Sequence, residues 1–139
     1  MVEMKSADAK LEVMLADGST SGLASIVQQF LEQQLADSAS RRRRAGRLRG
    51  RLGLTATDYR ASVTVDFRGD QIAVCDGSEE PLDASIAGPY ASLTELLQGR
   101  ANPLIEHLRG RLKVRSRLRN PLFPLRVHRL MKLDHERAS

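Results

Sequence analysis

The spacing of apolar positions changes several times along the chain, and each change predicts a change of secondary structure. Leu23, Ile26, Val27, Phe30, Leu31 and Leu35 recur at intervals of three and four, the spacing that lines one side of an α-helix. Ser19, Thr20 and Ser21 precede this run as candidate N-caps, so a helix to about Ser38 is predicted. From Arg47 the interval falls to two, with Leu48, Gly50, Leu52, Leu54 and Ala56 alternating against Arg49, Arg51, Gly53 and Thr55. That alternation predicts a strand with one apolar side. Tyr59, Ala61, Val63, Val65 and Phe67 repeat it, and Arg68-Gly-Asp70 supplies turn chemistry. Ile72 and Val74 predict a third strand that ends in the acidic turn Asp76 to Pro81, and Leu82, Ala84 and Ile86 predict a fourth.

Helical punctuation then returns. Ser92-Leu-Thr-Glu95 has the form of a capping box, Leu93, Leu96 and Leu97 form a stripe behind it, and Gly99 stands where a helix would stop. Asn102-Pro103 reads as an N-cap with a first-turn proline, Leu104, Ile105 and Leu108 as a buried face, and Gly110 as the next stop. Leu112, Val114 and Ser116 alternate with Arg111, Lys113, Arg115 and Arg117 as a fifth strand. A last helix is predicted from about Pro124, with Val127, Leu130 and Met131 on one side and Phe123 just before it. At the other end, Met4, Ala7, Leu11, Met14 and Leu15 allow a short helix within residues 1–18, or a frayed extension.

Charge adds what periodicity leaves out. The formal net charge is +5, with seven of the 22 basic residues between Arg41 and Arg51 and eleven between Arg100 and Arg137. Residues 52–99 hold only Arg60 and Arg68 against eight acids. Such polarity suits an acidic partner, nucleic acid or anionic membrane, or a solvated link between helix and sheet. With three Phe, two Tyr and no Trp the chain is poor in the rings on which single-stranded bases stack. Specific nucleic-acid recognition is therefore not expected, and a basic nucleic-acid-associated module stands as the alternative function. At 139 residues one core is expected. The lone Cys75 and the absence of an apolar leader-like run lead us to expect a cytoplasmic protein.

Three stretches in order are Ile86-Ala-Gly-Pro-Tyr90, Leu93-Thr-Glu-Leu-Leu97-Gln-Gly99-Arg-Ala-Asn-Pro103 and His107-Leu-Arg-Gly110-Arg-Leu-Lys-Val114. Together with the element order they resemble the sterol carrier protein 2 family of lipid-binding domains. The resemblance implies an α+β fold, a five-stranded mixed, mostly antiparallel sheet covered on one face by helices, occupying residues 20–139 behind an extension of residues 1–19. It implies a non-catalytic carrier of a sterol, fatty acyl or isoprenoid-type lipid, held in an apolar tunnel between sheet and helices with no cofactor. The expected lining is the helix faces bearing Ile26, Val27 and Phe30, then Leu93, Leu97, Leu104, Ile105 and Leu108, then Phe123, Val127 and Leu130. Arg41, Arg42, Arg43 and Arg44, with Arg126, Arg129 and Lys132 on the last helix, are expected to touch anionic membrane or remain solvated. The chain departs from the family pattern at Ser116 to Pro124, close to the expected tunnel mouth.

Catalytic signatures are missing from the sequence. His107, His128 and His135 have no metal-ligand spacing, and no glycine-flanked serine elbow or phosphate-cradling loop occurs. The acidic Asp76, Glu79 and Glu80 fit a solvated turn, and Cys75 beside Val74 fits a small buried side chain. No metal, no enzyme activity and no identified protein partner are expected.

Overall fold

Alternation of apolar and polar side chains builds the centre of the protein. The computed structural model describes residues 11–16, 21–36, 38–117 and 120–131. Its strands are β1 (Glu12–Leu15), β2 (Arg49–Ala56), β3 (Ala61–Arg68), β4 (Gln71–Asp76), β5 (Ala84–Gly88) and β6 (Lys113–Ser116), joined in the order β1-β4-β3-β2-β5-β6. The β2–β3, β3–β4 and β5–β6 pairs are antiparallel, while β1–β4 and β2–β5 are parallel. The helices are α1 (Gly22–Ala36), α2 (Ala39–Arg47), α3 (Tyr90–Leu97), α4 (Pro103–Leu108) and α5 (Phe123–Met131).

Register fixes which side is apolar. Leu52 faces Val65 and Leu54 faces Val63 across β2–β3, and Leu54 faces Ile86 across β2–β5. With Phe67, Ile72 and Val74 these form a buried sheet face. On that face α1 contacts β1, β4 and β3, α3 contacts β2 and β5, and α5 lies among α1, α2, α3 and α4. Phe123 at the head of α5 meets Phe67 of β3 edge to face, 6.0 Å between ring centroids at 83°, the arrangement favoured by the ring quadrupoles.

The opposite face is closed by chain rather than by helix. Because β4 and β5 run the same way, the segment between them must cross the sheet. It crosses over β3 and β2: Thr64 Oγ1 donates to the Gly77 carbonyl at 2.8 Å and accepts from the Glu79 amide at 2.9 Å. Leu82 lies so close to Gly53 that a Cβ there would meet it at 2.8 Å. Asp66, buried on this side, is held by Arg51 at 3.5 Å and Arg68 at 3.1 Å.

Four expectations are corrected. The sheet has six strands rather than five, because Glu12–Leu15 forms β1 and not part of a helix. The Glu12 amide donates to the Asp70 carbonyl at 3.0 Å and the Ala16 amide to that of Val74 at 2.9 Å; the open edge of β4 decided the conformation. The remainder of the expected first helix lies outside the described residues. The arginine run is not a bare link: Ser38 Oγ caps α2 by accepting from the Arg41 amide at 3.2 Å, and Arg41 and Arg42 reach back to the Gln34, Leu35 and Ala36 carbonyls. Cations at the C-terminal carbonyls of α1 complement their partial negative charge. Tyr59 belongs to the β2–β3 turn and is exposed, stacked edge-on with Tyr90 at 5.3 Å. Finally, α3 starts at Tyr90, two residues before the expected Ser92 cap, because Asp58 of that same turn accepts from the Tyr90 amide at 2.9 Å.

Other punctuation stands as read. Ser21 Oγ accepts from the Ala24 amide at 3.0 Å to start α1. Asn102 Oδ1 accepts from the Leu104 and Ile105 amides at 2.9 and 3.4 Å with Pro103 in the first turn. Gly99 and Gly110 follow α3 and α4, each with φ +77°, a conformation glycine adopts at no steric cost.

Candidate functional site

Between the sheet and the described helices lies an apolar gap. Its floor is Leu52 and Leu54 of β2 with Ile86 of β5, and its roof is Leu96 and Leu97 of α3, Pro103 of α4, and Pro124, Val127 and His128 of α5. The gap measures about 20 Å³, room for roughly one water molecule. His128 is also a wall of a larger open groove of about 400 Å³, formed by Gly99, Arg100, Ala101 and Asn102 with Leu125 and Arg129 of α5. An apolar seam thus lies next to a solvent-facing groove that carries two exposed guanidinium groups. Apart from His128 its lining is apolar, so an unpaired polar atom placed there would go unsatisfied.

The structure sorts the expected lining residues into four groups. Leu97 and Val127 border the gap. Val27, Leu93, Phe123 and Leu130 are fully or almost fully buried in the core that surrounds it. Ile26 and Phe30 on α1 are half-buried, Phe30 packing against that core.

Leu104, Ile105 and Leu108 are corrected: the expected buried face of α4 is its outer face, with exposures of 52%, 46% and 79%. What α4 turns inward is Pro103 and Glu106. The Glu106 carboxylate sits 4.0 Å from the guanidinium of Arg109 and 3.7 Å from that of Arg111, and its carbonyl accepts from the Arg111 and Leu112 amides at 2.9 and 3.3 Å. These interactions accompany the inward placing of Glu106 on a helix of six residues, too short to be held by an apolar stripe alone.

Sequence reasoning passed over the floor and part of the roof. Leu52, Leu54 and Ile86 are inward positions of alternating strands, so the signal is present, whereas the expected lining draws on helix faces alone. Pro103, Pro124 and His128 carry no signal of their own. Of the basic residues expected at a membrane, Arg41 and Arg42 are half-buried against α1, Arg43, Arg44, Arg126 and Arg129 are exposed, and Lys132 lies outside the described residues.

Reactive groups are quiet. Cys75 is buried, and desolvation, reinforced by the hydrogen-bonded Glu79 side chain, pushes its pKa above the ordinary value; a protonated thiol is a poor nucleophile. Among the described residues no three His, Cys, Asp or Glu side chains are grouped to hold a metal ion, and no helix is long and apolar enough to cross a membrane.

Comparison with known proteins agrees with this architecture. The sequence model of the SCP-2 sterol transfer family matches residues 27–115. Among solved structures, a ubiquinone synthesis protein, UbiJ-SCP2, superposes with a TM-score of 0.58 at 20% identity, over 79% of this chain and 90% of that one. A crystal structure of sterol carrier protein 2 gives 0.54 at 23% identity, over 81% and 92%. Palmitated SCP2L2 from Aedes aegypti gives 0.54 at 10% identity, over 81% and 95%. No curated protein matches the chain significantly in sequence.

Proposed function

The chain belongs to the SCP-2 sterol transfer family, and from that premise we propose that it takes up a single lipid between sheet and helices and carries it without chemical change. The observation that carries this reading is the apolar seam between Leu52, Leu54 and Ile86 below and α3, α4 and α5 above. At about 20 Å³ the seam is closed, so a ligand enters only as the roof lifts. The floor is the middle of a hydrogen-bonded sheet, whereas the roof is short helices joined by the half-exposed link around Gly99 to Asn102. The roof is therefore the part that yields.

Each methylene that enters contributes about 0.8 kcal/mol, so ten of them offer a gross gain of roughly 8 kcal/mol against the cost of opening. A head group would emerge into the groove beside Arg100 and Arg129. An anionic or polar end is matched there, and an acyl, sterol or isoprenoid body is matched by the seam. The described lining offers no thiol, hydroxyl or carboxylate side chain to attack the ligand.

The test is denaturing extraction of the purified protein with mass spectrometry of what is released, followed by titration with a fluorescent fatty acid displaced by palmitate. A released lipid or saturable, palmitate-competed uptake is the expected result. Absence of both, together with salt-sensitive binding of oligonucleotides, would replace the carrier with the basic nucleic-acid-associated module.

A further inference from the structure

Leu104, Ile105 and Leu108 stand at successive helical positions on the outer side of α4, exposed by 52%, 46% and 79%. Their exposure is not fraying. Asn102 caps the start of α4, Glu106 holds its inner side through two arginines, and His107 Nδ1 accepts from the Val114 amide of β6 at 3.1 Å. A helix capped at its start and tied to β6 that presents its large apolar side chains to solvent leaves their burial unused.

Cations surround this tip. Arg109 and Arg111 flank its C-terminal end, with guanidiniums 61% and 60% exposed. Exposed Arg100 and Arg129 line the groove formed with the link that leads into its N-terminal end. From Arg100 to Met131 the sequence has nine Lys and Arg against one acid, Glu106, which is buried beneath them. We propose that the outer face of α4 is a docking surface for an anionic phospholipid bilayer, with the three apolar side chains entering the acyl region and the arginines holding head groups.

The chemistry favours a bilayer over a second copy of the chain. Two such faces brought together would oppose Arg109 and Arg111 of one copy to those of the other, while the acid of α4, Glu106, is buried. An exposed apolar helix face with arginines at both ends instead suits a soft, negatively charged surface. Pro103, the first residue of α4, is also part of the roof of the apolar gap, so docking would set the gap against the lipid reservoir. The contact itself needs no lipid inside the protein.

Co-sedimentation of the full chain with phosphatidylcholine vesicles, with and without about one-third phosphatidylserine, reads the proposal directly. Binding is expected to the anionic vesicles only and to weaken with salt. Leu104→Ser/Ile105→Ser/Leu108→Ser, which alters exposed side chains and no charge, should weaken it by at least roughly tenfold. Arg109→Gln/Arg111→Gln should weaken it by roughly 30-fold, about 1 kcal/mol for each arginine. Arg47→Gln on α2 should leave it within roughly threefold. Absence of binding to anionic vesicles overturns the proposal. So does binding that survives the triple substitution but falls with Arg43→Gln/Arg44→Gln, which moves the contact to α2, or a dimer in solution that the triple substitution abolishes. Because the vesicle assay needs no lipid in the seam, its failure leaves the carrier reading standing, and failed palmitate uptake leaves the docking surface standing.

Discussion

Individual side chains carry strain and burial that can be measured. Gly50 has φ +146°, and a Cβ there would meet the Asp83 carboxylate at 2.8 Å and the Phe123 ring at 3.1 Å. Gly50→Ala should therefore lower stability by about 1–3 kcal/mol in urea unfolding. Thr64 Oγ1 is the hinge pin of the β4–β5 crossing, satisfying Gly77 and Glu79 at once. Thr64→Val removes both bonds, and because Gly77 and Glu79 are exposed and can turn to water, it should cost about 1 kcal/mol by the same measurement. Cys75 gives a pH signature. Its folded pKa lies above the ordinary 9.0 because the thiolate is desolvated and faces Glu79. The unfolded chain thus ionises first, so stability from this group is intact below 9.0 and falls as the pH climbs from there towards the folded value. Urea midpoints for the protein and for Cys75→Ala should diverge in that window and run parallel below it.

Among helices and strands, punctuation and periodicity tell different amounts. Caps made by residues adjacent in sequence were legible: Ser21 before α1, Asn102-Pro103 before α4, Gly99 and Gly110 after α3 and α4. Asp58 as the partner of α3 was not, because it lies 32 residues away. The facing of α4 shows the limit of an apolar stripe. Leu104, Ile105 and Leu108 have the spacing of a buried face, yet they face outward while Glu106, beside Arg109 and Arg111, faces inward. Leu108→Ser should change stability by no more than about 0.5 kcal/mol, whereas Leu130→Ala on α5, whose side chain is fully buried, should cost about 2–5 kcal/mol. Equal costs for the two would show that α4 packs inward after all.

Taken together, the two faces of the sheet divide the labour. One is sealed by the polar crossing of residues 77–83 and its Asp66 cluster, which ties down β2 and β3. The other meets helices through a seam that is apolar and nearly full. Opening should accordingly be one-sided. Hydrogen exchange in the presence of palmitate should slow in α3, α4 and α5 and change little in β2 and β3. Slowing in β2 and β3 equal to that in the roof would place the ligand elsewhere.

By itself the sequence determined the α+β order of elements, the inward residues of the long strands, the family and the uneven distribution of charge. All of these rest on interactions between neighbours a few positions apart, or on residue identity alone. Only the tertiary structure decided that Glu12–Leu15 pairs beside β4, that Arg41 and Arg42 cap the preceding helix, and that α4 turns its leucines to water. It also set a gap of about 20 Å³ between the sheet and the described helices. Each of these outcomes is a competition for partners distant in sequence or for leftover volume, and neither is encoded in local spacing.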